Sequence, residues 1–171
     1  MHTPAAPLAH TVIATPLGEL RLACTPQGLC GAWFVHEQRH APPEALFTLE
    51  QAAPEHPLLR EAAQQLQAYF DGQLQRFDLA LDLSAGTDFQ QAVWQRLCDI
   101  GHGQLARYGD IAHRLGKPQA SRAVGAAVGR NPVSIIVPCH RVLGSGGALT
   151  GYAGGLWRKQ ALLRTEGHSL F

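Results

Sequence analysis

The sequence predicts an α+β protein of two small domains, on three observations. Residues 10–35 read as short strands separated by turns, an antiparallel meander. Residues 108–131 read as helix, short turn, helix. Between them, Ser84-Ala85-Gly86 looks like a hinge, directly before a strong helix-start signal at Thr87. The boundary therefore falls between residues 1–86 and 87–171. A chain of 171 residues accommodates two small domains. With 46% hydrophobic and 16% charged residues it can bury a core, which excludes a disordered chain.

The elements follow in order. Residues 10–14 are partly β-branched and end at Thr15-Pro16-Leu17-Gly18, a turn signal. Residues 19–24 alternate polar and apolar, as a half-exposed strand does. Pro26-Gln27-Gly28 turns the chain into a third strand over 29–35. Residues 36–56 are polar, broken by Pro42, Pro43 and Pro54, and read as loop. A helix over 57–70 places Leu58, Leu59, Ala62, Leu66, Tyr69 and Phe70 at helical spacing and ends at Gly72. Phe77, Leu79, Leu81 and Leu83 alternate with Asp78, Ala80 and Asp82, which predicts another strand.

In the second half, Thr87-Asp88-Phe89-Gln90 is a capping box, and the helix behind it turns Phe89, Val93, Trp94 and Leu97 inward, with Cys98 read as core. Ile111, Ala112 and Leu115 face inward from the next helix, which Gly116 ends. Pro118 suits the first position of a second helix over 119–128. That helix is built from very small residues, with Arg122 its only charged side chain, so its backbone can approach a partner closely. This is helix-turn-helix geometry, which serves DNA binding in some proteins and packing in others. A last helix over 156–165 is expected to bury Leu156, Ala161, Leu162 and Leu163.

Charge is divided unevenly. Residues 1–100 carry 5 Lys and Arg against 11 Asp and Glu, and residues 101–171 carry 9 against 2, so a net −6 is joined to a net +7. A polyanion contact confined to the second half fits this split, and so does a salt-bridged seam between halves. No apolar run approaches the roughly 18 residues that a membrane span needs, so no membrane association is expected. Residues 1–7 lack a basic segment followed by an apolar one, so no secretory signal is expected. Four cysteines are too few for a disulfide scaffold, and a reducing, cytoplasmic setting is the expectation.

The most informative stretch is 133–142. Val133-Ser134-Ile135-Ile136-Val137 reads as a buried strand, Pro138 stops it, and Cys139, His140 and Arg141 follow at once. A thiol reacts as thiolate, and neighbouring His and Arg favour that form. The alternative is a buried cysteine acting as a small hydrophobe.

Across the second half the motifs identify a family. Phe89-Gln90 with Val93-Trp94, Tyr108-Gly109-Asp110-Ile111-Ala112, Ser121-Arg122-Ala123-Val124-Gly125, Asn131-Pro132, Pro138-Cys139-His140-Arg141-Val142, Gly151-Tyr152 with Gly154-Gly155-Leu156, Lys159, and Leu162-Leu163 with Glu166-Gly167 stand in the family's order. In these the chain closely resembles the O6-alkylguanine-DNA alkyltransferases, the methylated-DNA–protein-cysteine methyltransferases. The resemblance implies a ribonuclease-H-like first domain and a winged-helix-like second one. It implies transfer of an alkyl group from guanine O6 to Cys139, with His140 as base, Glu166 orienting the imidazole and Asn131 bracing the cysteine turn. It implies that Arg122 fills the gap left by a flipped nucleotide and that Tyr108 crowds the adjoining phosphate. Ser121, Ala123, Gly125 and Arg141 would lie at the DNA face, Tyr152, Ala153 and Gly154 would wall the base pocket, and Lys159 would assist protonation of the leaving guanine. It implies a monomer that meets double-stranded DNA from the minor groove and needs no cofactor.

The chain departs from the family's pattern in two places. The family usually has proline at 101, threonine near 105 and serine or threonine at 107, where this chain has Gly101, Leu105 and Arg107. Ala153 stands where some members carry a serine that contacts O6, so altered substrate preference is expected. Some members hold zinc in the first domain; Cys24 and Cys30 lie near two ligand positions with His2 and His10 close by, but four ligands are not found, and no metal is expected. A non-catalytic lesion-binding relative would lack the cysteine that is present here. A helix-turn-helix regulator would want a longer, more basic recognition helix, and a Cys-His hydrolase would want an oxyanion hole.

Overall fold

A computed structural model of the chain describes residues 9–171. The first eight residues, His2 among them, lie outside the described residues. Three strands, β1 (Ala9–Ile13), β2 (Leu20–Thr25) and β3 (Gly28–Phe34), form an antiparallel sheet in chain order, with a register shift at Ala23/Cys24. Helix α1 (Pro57–Phe70) packs on it through Leu59, Ala62, Leu66 and Tyr69. The His56 ring caps α1 by accepting from Leu58 N–H, and Gly72, at φ 74°, turns the chain away from the helix end.

The second half comprises α2 (Asp88–Cys98), β4 (Ala106–Arg107), α3 (Tyr108–Arg114), α4 (Ser121–Gly129), β5 (Val142–Leu143) and α5 (Leu156–Thr165), with β4 and β5 forming a two-residue parallel ladder. The capping box at α2 is reciprocal: Thr87 Oγ1 accepts from Gln90 N–H and Gln90 Oε1 from Thr87 N–H. Such a cap is worth about 1 kcal/mol. Trp94 Nε1 donates to Ala127 O at 2.8 Å and ties α2 to α4. Buried side chains of both halves form one continuous cluster, from Leu20 and Phe34 through Val93 and Ile111 to Leu162.

Several expectations are corrected. Every residue of β2 is buried, because α1 covers one face and the following loop the other; Arg21 is folded in with its guanidinium on the Phe47 ring and on Glu44 at 2.7 Å. Residues 77–83 are not a strand: only Leu81 bridges Leu29, through two backbone hydrogen bonds. The run 133–137 is buried as expected but is a turn, with Val133 bridging Ala32 and Ile135 at φ 72°, a left-handed conformation that a strand excludes. The supposed hinge is tied down, since Gly86 is buried under Trp94 so closely that a Cβ would stand 2.3 Å from its ring. Pro118 lies in the turn before α4, whose first residue is Ser121. Leu156 and Cys98 are exposed.

No ion pair among the described residues joins the acidic first hundred residues to the basic remainder, so the seam between halves is held by packing and hydrogen bonds.

Candidate alkyl-acceptor site

Cys139 opens a single helical turn, Cys139–Arg141, all three residues buried. The turn before it exists because Asn131 holds it. Asn131 Oδ1 accepts from Val133 N–H at 3.0 Å, while its Nδ2 donates to Val137 O at 2.8 Å and to Cys139 Sγ at 3.1 Å. The same side chain therefore shapes the loop and places an N–H on the sulfur. Burial pushes the Cys139 thiol up, against the Asn131 hydrogen bond and the Lys159 charge, which pull it down. The resting group is a thiol, and reaction requires a base.

His140 is fully buried and its Nε2 meets Glu166 Oε1 at 2.8 Å. The carboxylate fixes that nitrogen as the protonated one, which leaves Nδ1 as the basic nitrogen; it has no protein partner among the described residues. Burial lowers the His140 pKa, with the Glu166 hydrogen bond opposing. Glu166 is itself buried, which favours its neutral form, but the hydrogen bonds and charges of His140 and Arg141 hold its carboxyl well below the usual range. Arg141 grips it through Nε at 2.9 Å and Nη2 at 2.7 Å, and Tyr69 Oη, from α1 of the first half, donates to it at 2.9 Å.

The sulfur borders a cavity of about 120 Å³ lined by Arg39, Tyr108, Gly125, Val128, Gly129, Gly151, Tyr152 and Ala153. Helix α4 and the sulfur thus share one face, and a methyl group at Gly125 would stand 3.8 Å from the Tyr108 ring. Arg122 and Ala123 are exposed on α4, Ser121 is half-buried at its start, and Gly154 is buried behind the wall. A larger cavity, about 440 Å³, lies elsewhere, between residues 75–81 and 98–102 behind Arg141, and does not reach the sulfur.

Two basic residues expected at the DNA or the base are buried. Arg141 is 5% exposed and spends its donors on Glu166 and Ile100 O, so it supports the relay and does not face DNA. Lys159 is fully buried and its ammonium donates to Val142 O at 2.6 Å, Thr150 O at 2.7 Å and Gly151 O at 3.3 Å. Burial lowers its pKa to about 8, and through these carbonyls it braces the segment that leads into the pocket wall. Arg107 is exposed, with its N–H bound to Asp110 Oδ2 at 2.8 Å. Sequence reasoning missed Tyr69 and Arg39, which reach the site from 97 and 114 positions away in the chain of residues ending at Glu166 and Ala153. Among the described residues no group of three or more His, Cys, Asp or Glu could hold a metal ion, and no helix is long and apolar enough to cross a membrane.

The two halves of the chain have known counterparts. Residues 8–83 match the ribonuclease-like domain, and residues 88–168 the DNA binding domain, of 6-O-methylguanine DNA methyltransferase. The chain is 45% identical over 161 residues to a methylated-DNA–protein-cysteine methyltransferase of Methanosarcina barkeri, covering 94% of this chain and 98% of that protein. It is similar to the solved Mycobacterium tuberculosis O6-methylguanine methyltransferase, with a TM-score of 0.82 at 46% identity over 92% of each chain. It is also similar to the Mycobacterium tuberculosis OGT solved in complex with DNA, with a TM-score of 0.78 at 43% identity over 92% of each chain. With both domains matched and nearly half the residues identical over more than nine-tenths of the chain, the protein belongs to the 6-O-methylguanine DNA methyltransferase family.

Proposed function

We propose that the chain repairs O6-alkylguanine in double-stranded DNA by moving the alkyl group onto Cys139, once per molecule. The observation that carries this is a sulfur held by Asn131 at 3.1 Å, beside an imidazole–carboxylate pair at 2.8 Å, at the edge of a cavity that α4 also lines. His140 Nδ1 takes the thiol proton, directly or through a water. The S–C bond then forms as the O6–C bond breaks, and the guanine anion takes up a proton. The product thioether is a poor leaving group, so the protein stays alkylated and does not turn over.

A stacked guanine keeps O6 out of reach of in-line attack, so the nucleotide must leave the duplex, at a cost of a few kcal/mol. Arg122, exposed on α4, offsets part of that cost by entering the stack, while Tyr108 at the cavity edge meets the flipped base. Ser121, Ala123 and Gly125 let α4 approach the minor groove, and binding is not sequence-specific. O4-alkylthymine presents a similar alkylated oxygen, and mass measurement after incubation with an O4-methylthymine duplex tests whether it is a second substrate. A monomer suffices, since the whole relay comes from one chain. The unpaired cysteines fit a reducing compartment such as the cytoplasm.

The test is incubation with a duplex containing O6-methylguanine, followed by mass measurement of the intact protein and of the peptide that carries Cys139. One methyl at Cys139, in step with restored guanine, is expected. Binding with no change in mass would instead make this a lesion-binding protein, and many guanines restored per protein would make it a true turnover enzyme.

A further inference from the structure

Arg158 is 4% exposed, and among the described residues it makes no ion pair. A buried guanidinium is costly unless its donors and its faces are all occupied. Here Nε donates to Leu17 O at 2.9 Å, and Nη1 to His36 O at 3.0 Å and Gly154 O at 2.9 Å. Its carbon lies 4.1 Å from the Phe34 ring centre and 4.5 Å from that of Trp157. Leu17, Phe34 and His36 belong to the first half of the chain, whereas Gly154 directly follows Tyr152 and Ala153, which line the cavity at Cys139.

Neighbouring contacts run the same way. Arg39 N–H donates to Ala153 O at 2.8 Å, and Trp157 Nε1 to Glu37 Oε2 at 3.2 Å. The loop leaving β3 takes up left-handed backbone at Glu37, φ 60°, and His40, φ 61°, around these contacts. The fit is tight, since a Cβ at Gly154 would stand 3.1 Å from the Phe34 ring and 3.3 Å from Gln38 Oε1. Arg39 and Ala153 both line the cavity.

We infer that Arg158 is a positioning residue that sets the width of the alkyl pocket, by fixing the wall at residues 152–154 against the first-domain loop at 36–39. This rests on the cavity at Cys139 being the alkyl site. The first domain then does more than cover the second, because its loop is one side of the gauge that measures the O6 substituent. Arg suits the task because its planar fork reaches carbonyls on separate segments while its faces stack on rings. A lysine would bring the charge without the fork.

The experiment measures single-turnover rates on duplexes carrying O6-methylguanine or O6-benzylguanine. Arg158→Ala should slow methyl transfer about tenfold, as a displaced wall misplaces the substrate. It should slow benzyl transfer less, so that the benzyl-to-methyl ratio rises at least about threefold. Arg158→Lys should keep the raised ratio, and its return to the wild-type value would overturn the bridging role. Gly154→Ala retains Arg158 and adds bulk between wall and loop, so it should lower the ratio. Equal slowing of both substrates in the Arg158 variants, with an unchanged ratio in Gly154→Ala, overturns the inference. Cys139→Ala is the control: transfer surviving in it would sink the site itself, not the bracket.

Discussion

Cys24 and Cys139 are both buried, and each stands beside a histidine. Cys24 Sγ lies 3.8 Å from Nδ1 and 3.8 Å from Nε2 of His56, equidistant from both ring nitrogens. The His56 ring already serves as the cap of α1, and no carboxylate binds its other nitrogen among the described residues. Cys24 is wholly enclosed, whereas Cys139 is 7% exposed and borders a cavity. Burial pushes both thiols up. What separates them is not proximity to imidazole. It is a donor on the sulfur, a carboxylate behind the base and room for a substrate.

The sharpest break of the comparison exchanges the two sulfurs for oxygen in turn. Cys139→Ser should lose transfer altogether while still binding DNA. Cys24→Ser should keep transfer within about twofold but lose roughly 1–3 kcal/mol of stability, since it places a hydroxyl in an apolar site. Mass measurement after incubation with alkylated duplex, with thermal melting alongside, reads both. A folded Cys24→Ser protein that no longer takes up methyl would end the distinction.

Glu166→Gln should come next, slowing transfer on the order of a hundredfold, because the base loses its orienting carboxylate. It should also cost about 3–5 kcal/mol, because it leaves the buried Arg141 charge without its partner. The pH dependence has a definite sign. Glu166 is held below its ordinary 4.5 and His140 below its ordinary 6.5, so on acidification the unfolded chain takes up protons that the folded one refuses. The stabilisation is complete above the ordinary histidine range and is lost as pH falls through and below it. From pH 7 to pH 5, where His140 is the one of the two that titrates, melting temperatures should therefore drop in the wild type and drop more in Glu166→Gln, which removes the carboxylate that opposes the His140 shift. A smaller drop in the variant would show that His140 does not govern stability in this window.

Asn131→Ala should slow transfer between about tenfold and a hundredfold, as a hydrogen bond to a charged group is worth roughly 1.5–3 kcal/mol. Alkylation of Cys139 by a small electrophile, followed against pH, separates causes. If Asn131 stabilises the thiolate, the profile moves to higher pH; if it only shapes the loop, the rate falls with no shift.

How much of this was legible from the amino-acid order follows the range of each interaction. Cys139, His140 and Asn131 lie within nine positions of one another, and the capping box at Thr87 is a matter of three, so local pattern exposes them. The run 133–137 misled because β-branched residues signal burial, and burial was correct, while the left-handed Ile135 that makes the segment a turn leaves no such mark. The burial of Arg141 and Lys159 was hidden in another way. A basic side chain is ordinarily exposed, yet each is buried because acceptors from other segments meet it: Glu166 and Ile100 for one, Val142 and Thr150 for the other. Arg158 was invisible for the same reason, since its partners Leu17 and His36 are more than a hundred positions away.

Tyr69 gives the smallest expected effect and the finest test of what separates the two cysteines. Its hydroxyl donates at 2.9 Å to Glu166 Oε1, the same oxygen that accepts from His140. The first domain thereby contributes to the relay behind Cys139, and nothing comparable stands behind Cys24. Tyr69→Phe keeps the ring in its core contacts with Phe70 and Phe77 and removes only the donor. A net hydrogen bond is worth about 0.5–1.5 kcal/mol, so transfer should slow between about twofold and tenfold. Because Arg141 and Gly103 N–H still hold the carboxylate, the relay should loosen without collapsing. The readout that matters is the pH profile of transfer set beside the melting temperature. A fall in melting temperature with the rate and its profile unchanged would mean that Tyr69 merely joins the two halves; a slower rate in a protein that melts as the wild type does would place its hydroxyl in the positioning of His140.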